Sequence, residues 1–200
     1  MIYSISFVII IFKIKYGNWV THFLSERKYL YMLSKFYPDL LVDTIMDISL
    51  DFLRANNISG LILDIDNTLV ATHTKEADEK LISWANRMQK NGIKLCIVSN
   101  ASLKRVTLFN EKLKIDAIHR AYKPSAKGFL KGAEKMSLTP LNVAMVGDQI
   151  FTDVYGGKKA GMKTILVKPI DPREFFFVRL KRYPEKLILK SFYKKRGKKV

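Results

Sequence analysis

Short apolar segments alternate with longer amphipathic segments along most of the chain. The short segments have the length of strands and are mostly rich in β-branched residues; they comprise residues 60–66, 94–100, 116–122, 142–148 and 163–169. In the longer segments, apolar residues recur three and four positions apart, as Leu81, Trp84 and Met88 do. This alternation is typical of βαβ units. We therefore predict a three-layer, doubly wound, Rossmann-like α/β fold with a parallel sheet.

The helices are expected between these strands. The periodic segments predict helices over residues 76–91, 103–113, 126–137 and 151–160. Ser102 is a candidate cap for the second of these helices, and Gly92 stands where the first should end. Before the first strand we expect a helix over residues 24–35 and a helical piece near 49–56.

We predict that the chain has three parts. These are an N-terminal extension (1–31), a core with a helical lead-in (32–170) and a basic, aromatic-rich tail (171–200). The extension contains an apolar run, Ile5–Phe12, that is shorter than the roughly 20 residues that span a bilayer. Lysines follow this run instead of preceding it, unlike a signal peptide. Either the extension seeks a membrane surface, or it is dispensable or not translated.

Composition narrows the class of protein. A hydrophobic fraction of 48% is that of a folded domain and excludes wholesale disorder. Cys96 is the single cysteine of the 200 residues, so an intrachain disulfide is excluded. Its apolar neighbours predict a buried thiol in a reducing compartment, which agrees with a cytoplasmic protein.

Polar side chains follow four of the five predicted strands. In chain order these are Asp64 and Asp66, Ser99 and Asn100, Lys123, then Asp148 with Asp153 a little further on. Ligands of open parallel sheets bind at the carboxyl ends of the strands, so these groups should meet at one rim. Singly, each has an ordinary explanation as a helix cap, a turn residue or a solvated lysine. Their joint occurrence favours a functional site.

These residue types suit phosphoryl transfer. Asp64 and Asp66 are two positions apart, so on a strand both side chains would address one ligand. Clustered carboxylates repel one another unless a cation lies among them, and hard oxygen ligands suit Mg²⁺. A metal ion and Lys123 would neutralise a phosphate, one carboxylate would attack it, and another would move protons.

The sequences DIDNTLV, IVSN, a Lys-Pro pair and GDQIFTD, in this order over residues 60–153, resemble the motifs of the haloacid dehalogenase superfamily. Most members are Mg²⁺-dependent phosphatases that form an aspartyl-phosphate intermediate. The resemblance implies that Asp64 is the nucleophile and a metal ligand. It implies that Asp66 is the general acid and base, with a backbone carbonyl on the metal, as in the phosphatases of the superfamily.

The same resemblance assigns the remaining residues. Thr68 supports the loop and the phosphate site, Ser99 and Asn100 hold the phosphoryl group, and Lys123 balances its charge. Asp148 ligates the metal, and Asp153 lies near the metal or reaches it through water.

From about Met32 to Ile188 the chain resembles the YqeG subfamily, whose members are capless, type IIIA phosphatases. Its relatives include mitochondrial phosphatidylglycerophosphate phosphatases, so the resemblance implies a phospholipid phosphomonoester as substrate. The spacing agrees with a missing cap, because the gaps from Asp64 to Ser99, to Lys123 and to Asp148 are each filled by one strand–helix–strand unit of roughly 30 residues.

The formal net charge of +17 is concentrated near the C-terminus, where residues 173–200 hold eleven Lys and Arg residues against two glutamates. Aromatic and aliphatic residues interleave with these cations, a mixture that can lie on an anionic membrane surface. Two alternatives stay open, a solvated tail and a nucleic-acid contact. Phe175–Phe177 are also candidates for packing on the core, and Pro184 argues against one continuous helix.

The leading hypothesis is a cytoplasmic, Mg²⁺-dependent phosphatase, peripheral on the inner face of the membrane, that converts phosphatidylglycerophosphate to phosphatidylglycerol. One alternative is a soluble phosphatase acting on a sugar phosphate, a nucleotide or a nucleic-acid end. Another is a non-catalytic, nucleic-acid-associated binding protein. The complete set of Asp64, Asp66, Lys123 and Asp148 argues against this last alternative, because a binding module needs neither a nucleophile nor an acid.

Overall fold

A computed structural model describes residues 33–171, 173 and 176–195, without the side chains of residues 176, 177 and 195. Its centre is a parallel sheet of six strands in the order β1-β6-β5-β2-β3-β4. The strands are β1 (Leu40–Val42), β2 (Gly60–Leu63), β3 (Lys94–Val98), β4 (Asp116–Ile118), β5 (Val143–Gly147) and β6 (Lys163–Val167). The predicted parallel α/β fold is therefore confirmed.

The helices of the described residues lie between and after these strands. They are α1 (Leu50–Ala55), α2 (Glu79–Lys90), α3 (Leu103–Asn110), α4 (Ala126–Lys135), α5 (Tyr155–Lys159) and α6 (Phe176–Lys195). Ser102 accepts a hydrogen bond from the Arg105 backbone N–H, so the predicted cap of α3 is confirmed. Gly92 has a φ of 80°, the left-handed conformation that ends α2 where the sequence predicted.

Successive residues of the central strands face opposite layers, as the pleat of a strand requires. Leu61 and Leu63 of β2 pack in a core that includes residues of α2 and α3. Ile62, between them, packs in a second core, against Phe129 and Ala133 of α4. The sheet thus has helices on both faces, which explains why its central strands are almost entirely apolar.

The five predicted strands are present but end one to four residues earlier at their carboxyl ends. The polar residues that were predicted at the ends of these strands lie instead in the loops that follow. The sixth strand, β1, was not predicted; Leu40–Val42 falls in the lead-in that was expected to be helical, and it pairs with β6 at the edge of the sheet. Three residues are too few for a period of two to be recognised.

No inserted domain interrupts the described core, since each crossover from β2 to β3, from β3 to β4 and from β4 to β5 contains one α-helix. The rest of these crossovers consists of loops, the longest of which is 64–78, and the 3₁₀ helix Pro140–Asn142. The capless architecture is confirmed. Residues 1–32 lie outside the described part, and with them most of the helix expected over 24–35 and the apolar run of the extension. The expected packing of Phe175–Phe177 also lies outside it, so the three-part division of the chain stays a prediction.

The C-terminal segment corrects one expectation. Helix α6 continues through Pro184, although the sequence argued against one continuous helix. Ile188 and Phe192 of α6 are buried against a cluster that includes Tyr37, Ile150 and Leu166. A proline inside a helix costs about 3 kcal/mol, whereas burial of an Ile or Phe side chain contributes about 1.5–3 kcal/mol each, so the packing offsets the proline. Among the described helices, none combines the length and apolarity needed to cross a bilayer.

Candidate functional site

Three buried carboxylates converge at the carboxyl ends of two neighbouring strands. Asp64 follows β2, Asp148 follows β5, and Asp153 lies in the helical turn Ile150–Val154 that comes next. One carboxylate oxygen of each lies within 4.8 Å of the others. Because β2 and β5 are adjacent and parallel, their ends deliver these groups to one point of the rim. We call these three residues the acidic cluster.

Lys123 closes the acidic cluster from the loop after β4. Its Nζ lies 2.7 Å from Asp64 Oδ1 and 2.8 Å from Asp153 Oδ1, and its side chain is only 2% exposed. Burial opposes the charged form, but Asp153 and Asp64 outweigh it and raise the pKa of the Lys123 ammonium. Lys123 is therefore a permanent buried cation beside the oxygen that is predicted to attack.

The cluster holds more negative charge than Lys123 neutralises. Burial raises the pKa of Asp64 to about 6, against the opposing effect of Lys123. Burial likewise raises the pKa of Asp148 to about 7, with Asp153 adding to the rise and Arg182 opposing it. Both pKa values are therefore raised mainly by burial, and the charges of neighbouring carboxylates add to the rise.

A divalent cation would neutralise the remaining negative charge of the cluster. Apart from its 2.8 Å contact with Lys123 Nζ, the buried Asp153 Oδ1 has no hydrogen-bond partner among the described residues, so it can accept a further contact from a cation. The donor set consists of carboxylate oxygens, the ligands that Mg²⁺ prefers. The residues present therefore fit a magnesium site formed by the acidic cluster.

Asp66 lies apart from the acidic cluster. Its carboxylate accepts a hydrogen bond of 3.0 Å from Arg105 Nη2 and is 32% exposed. Arg105 Nη1 in turn donates a hydrogen bond of 3.1 Å to the carbonyl oxygen of Lys75. Strand β2 ends at Leu63, so the pleat argument that placed Asp64 and Asp66 on one side does not apply to them. The backbone contact of Asp66 with a metal stays a prediction.

The loop that follows β2 and carries Asp66 is held by hydrogen bonds to Asp171, which comes after β6 in the chain. Asn67 adopts a left-handed backbone with a φ of 62°, which asparagine tolerates better than most residues. Its side chain donates to the carbonyl of Asp171 at 3.0 Å and accepts from the Asp171 N–H at 3.1 Å. This pair of hydrogen bonds fixes the loop that carries Asp66.

Ser99 and Asn100 follow β3, as predicted. Ser99 is buried, and its Oγ accepts a hydrogen bond of 3.1 Å from the Ala101 N–H. The Asn100 side chain binds the backbone of Lys123 twice, accepting from its N–H at 2.7 Å and donating to its carbonyl at 3.3 Å. Asn100 therefore positions Lys123, and phosphate binding by Ser99 and Asn100 stays a prediction.

Asp148 is held from two sides. Thr68 Oγ1 donates to Asp148 Oδ1 at 3.1 Å, while the role expected for Thr68 in the phosphate site stays a prediction. From α6, Arg182 Nη2 pairs with Asp148 Oδ2, and its Nη1 donates to the Asp148 carbonyl at 2.7 Å. Arg182 was not predicted to belong to the site; the only signal for it in the sequence was the general excess of cations in the tail.

Glu185, one turn beyond Arg182, secures the helix to the site. Its Oε2 lies 3.0 Å from Arg182 Nη1, and its Oε1 accepts from the Ile150 and Phe151 N–H groups at 2.8 and 3.3 Å. Burial raises the pKa of Glu185, while Arg182 opposes the rise. Sequence reasoning missed this residue as well. Together the two side chains fasten α6 to the loop after β5.

Gly147, the last residue of β5, leaves room for Asp153. A Cβ atom at position 147 would lie 2.4 Å from Asp153 Cγ, which is closer than any real contact. Asp153 Oδ2 accepts a hydrogen bond of 3.1 Å from the Gln149 N–H, which holds the carboxylate over that gap. The absence of a side chain at Gly147 therefore makes room for the Asp153 carboxylate.

Comparisons with known proteins bear on this site. The family of mitochondrial PGP phosphatases matches residues 21–171. The probable phosphatase YqeG of Bacillus subtilis is 41% identical over 165 residues, which cover 82% of this chain and 96% of that protein. Phosphatidylglycerophosphate phosphatase 1 of Arabidopsis thaliana is 30% identical over 170 residues, covering 79% of this chain and 48% of the longer plant protein.

A solved structure gives a further comparison. A haloacid dehalogenase superfamily hydrolase from Ehrlichia chaffeensis matches with a TM-score of 0.49 and 16% identity, over 66% of this chain and 98% of its own. The family match extends over most of the described core, and the YqeG relative aligns over nearly its whole length. The chain therefore belongs to the mitochondrial PGP phosphatase family and is a phosphatase.

Proposed function

We propose that the protein hydrolyses the terminal phosphomonoester of phosphatidylglycerophosphate and releases phosphatidylglycerol. The observation that carries this proposal is the buried carboxylate of Asp64, 2.7 Å from Lys123 and within the acidic cluster. That arrangement suits attack on a phosphate. The lipid is supported by the family match and by the activity for which the Arabidopsis relative is named.

In the first step, an Asp64 carboxylate oxygen attacks the phosphorus atom. The bond between phosphorus and the glycerol oxygen breaks, and its electron pair leaves with that oxygen. Lys123 faces the same carboxylate and would neutralise charge on the phosphoryl oxygens as it builds up. Ser99 and Asn100 would hold the phosphoryl group, and Asn100 keeps the Lys123 backbone in place.

Asp66 would give a proton to the departing glycerol oxygen. It would then take a proton from the water that attacks the aspartyl phosphate, which regenerates Asp64 and releases phosphate. Its partial exposure suits this exchange, since protons must pass between the site and solvent. Arg105 holds the Asp66 carboxylate at 3.0 Å, so it would fix the orientation of the acid.

The same geometry supports a set of side-chain metal ligands. Asp64, Asp148 and Asp153 would hold Mg²⁺ through carboxylate oxygens. The backbone carbonyl of Asp66 is the further ligand that the motif resemblance implies. The ion, when bound, neutralises the phosphate and the carboxylates that face it. Thr68 and Arg182 would keep the Asp148 carboxylate aimed at the ion.

The outer face of α6 supports a location at an anionic membrane surface. Leu180, Tyr183 and Leu187 recur at helical spacing, and their exposures are 44%, 69% and 50%. Arg179 and Lys186 are exposed beside this stripe. Exposed apolar residues flanked by cations suit a surface of acyl chains and anionic head groups, where each nearby cation contributes about 1 kcal/mol.

Phosphate release from dioleoyl phosphatidylglycerophosphate in mixed micelles tests the proposal. Glycerol 3-phosphate, a water-soluble phosphomonoester, serves as the comparison substrate, and each is assayed with Mg²⁺ and with EDTA. We expect the lipid to be the better substrate by kcat/KM, and chelation to abolish both activities. Turnover of glycerol 3-phosphate with the lipid left intact would contradict the proposed substrate and favour a soluble phosphomonoester.

A further inference from the structure

A cavity of about 480 Å³ lies between α6 and the carboxyl ends of β1, β5 and β6. Its size is within the range of about 300–1,000 Å³ that is usual for ligand sites. Its wall is mainly apolar and is formed by Leu41, Ile150, Leu166, Val167, Leu189 and Tyr193. None of these residues has a part in the chemistry proposed above.

The cavity adjoins the candidate site. Asp148 belongs both to the acidic cluster and to the cavity wall, and Arg182 and Glu185 line the cavity next to it. Glu185 accepts hydrogen bonds from backbone N–H groups and pairs with Arg182, so its charge is compensated. A ligand whose phosphate lay at the acidic cluster would therefore have an apolar space directly beside it.

Three cations lie among the exposed residues that line the cavity. They are Arg179, Lys168 and Lys186, and we call them the mouth of the cavity because they are exposed. Lys168 pairs with Asp43 at 2.6 Å, whereas Arg179 and Lys186 form no ion pair with any residue that the structure describes. An apolar interior with a cationic mouth complements a ligand that has an apolar chain and negative charge at its head.

We infer that this cavity binds the apolar chain of an anionic amphiphile whose phosphate is held at the acidic cluster. The inference rests on the proposed function and adds to it, because it places the lipid part of the substrate under α6. Each methylene group that enters the cavity should then strengthen binding about fourfold. A site that binds only the phosphate would not distinguish chain lengths.

A series of alkyl phosphates tests the inference. Ethyl, hexyl and dodecyl phosphate are used as competitors of p-nitrophenyl phosphate hydrolysis, in the full-length protein without detergent and below the concentration at which they form micelles. We expect the inhibition constant to fall steeply from ethyl to dodecyl phosphate. An inhibition constant that is independent of chain length would overturn the inference. This result can be obtained with the wild-type protein alone.

Two leucines give a matched pair of variants. Leu189→Trp fills the cavity, whereas Leu141→Trp adds the same side chain at an exposed position outside it. We expect Leu189→Trp to remove the chain-length dependence and to leave ethyl phosphate binding and p-nitrophenyl phosphate turnover unchanged. Leu141→Trp should behave as the wild type. Equal effects of the two variants would overturn the inference.

The results also separate the inference from the proposed function. Chain-length dependence that Leu189→Trp removes, in a protein that leaves phosphatidylglycerophosphate intact, would support the cavity and contradict the proposed substrate. Hydrolysis of the lipid with no chain-length dependence would support the substrate and overturn the cavity. In that case the acyl chains would remain in the membrane during the reaction.

Discussion

Arg182, on the C-terminal helix, contacts both the carboxylate and the main-chain carbonyl of Asp148 at the end of β5. The Asp148 side chain is fully buried and the Arg182 side chain is 16% exposed. The two residues are 34 positions apart in the chain. The helix that carries most of the C-terminal charge is therefore also part of the candidate site. This relationship makes the stability of α6 and the geometry of the site depend on each other.

Arg182→Ala should lower the free energy of unfolding by about 3 kcal/mol or more, because it leaves the buried charges of Asp148 and Glu185 without their partner. Urea denaturation measures this change. Arg179→Ala is the matched control, since Arg179 is an exposed arginine of the same helix. It should change the free energy of unfolding by about 0.5 kcal/mol at most. Equal destabilisation by both variants would show that the Arg182 contacts do not hold the helix.

Asp66→Ala should lower kcat for glycerol 3-phosphate by about 10²–10⁴-fold, the usual contribution of a general acid and base. With p-nitrophenyl phosphate, the rate of the first step should fall less, because p-nitrophenolate leaves without needing a proton. A rapid burst of p-nitrophenolate followed by slow turnover is therefore expected. A variant with unchanged kcat on glycerol 3-phosphate would refute the role assigned to Asp66.

Gly147→Ala should lower kcat by about 100-fold, because the added methyl group would displace Asp153 by an ångström or more. Steady-state kinetics at saturating Mg²⁺ measures the loss. Gly92→Ala is the control; Gly92 has no neighbour within 4 Å of a Cβ but has a positive φ. That variant should lose stability and retain kcat. Normal kcat in Gly147→Ala would mean that the position of Asp153 is unimportant for turnover.

Cys96 should resist alkylation in the folded protein. Burial raises the pKa of its thiol to about 12, from 9.0, and Asp116 adds to the rise. Because the folded pKa is the higher one, the thiol stabilises the fold fully below pH 9.0, and this contribution is lost as the pH rises towards about 12. Iodoacetamide followed by mass spectrometry should modify Cys96 in urea and leave it intact without urea. Equal labelling under both conditions would contradict the buried position.

The parallel sheet was predictable because apolar runs and helical periods are local patterns of sequence. The burial of Cys96, which is inaccessible to solvent, was predictable for the same reason. Strand β1 was not, since it has only three residues and its pairing with β6 joins segments more than 120 positions apart. The path of α6 through Pro184 depends on what Ile188 and Phe192 contact, which a local rule about proline does not include.

Some residues of the candidate site could likewise be predicted from the sequence, and others could not. The motifs identified Asp64, Lys123, Asp148 and Asp153, and the structure brings these four side chains together. Arg182, Glu185 and Arg105 could not be identified, because an arginine or glutamate on a helix is usually solvated and only the packing of the helix decides otherwise. Asn100 was predicted to hold the phosphate, which stays a prediction, and its hold on the Lys123 backbone was not foreseen.

Phosphate release from phosphatidylglycerophosphate by the wild type and by Asp64→Asn, each with Mg²⁺, tests the central claim most directly. Asp116→Asn is the matched control, because Asp116 is an exposed aspartate of the same core. The wild type and Asp116→Asn should release phosphate, and Asp64→Asn should release almost none while its unfolding midpoint in urea is not lowered. Phosphate release by Asp64→Asn at the wild-type rate would contradict the claim that Asp64 is the nucleophile.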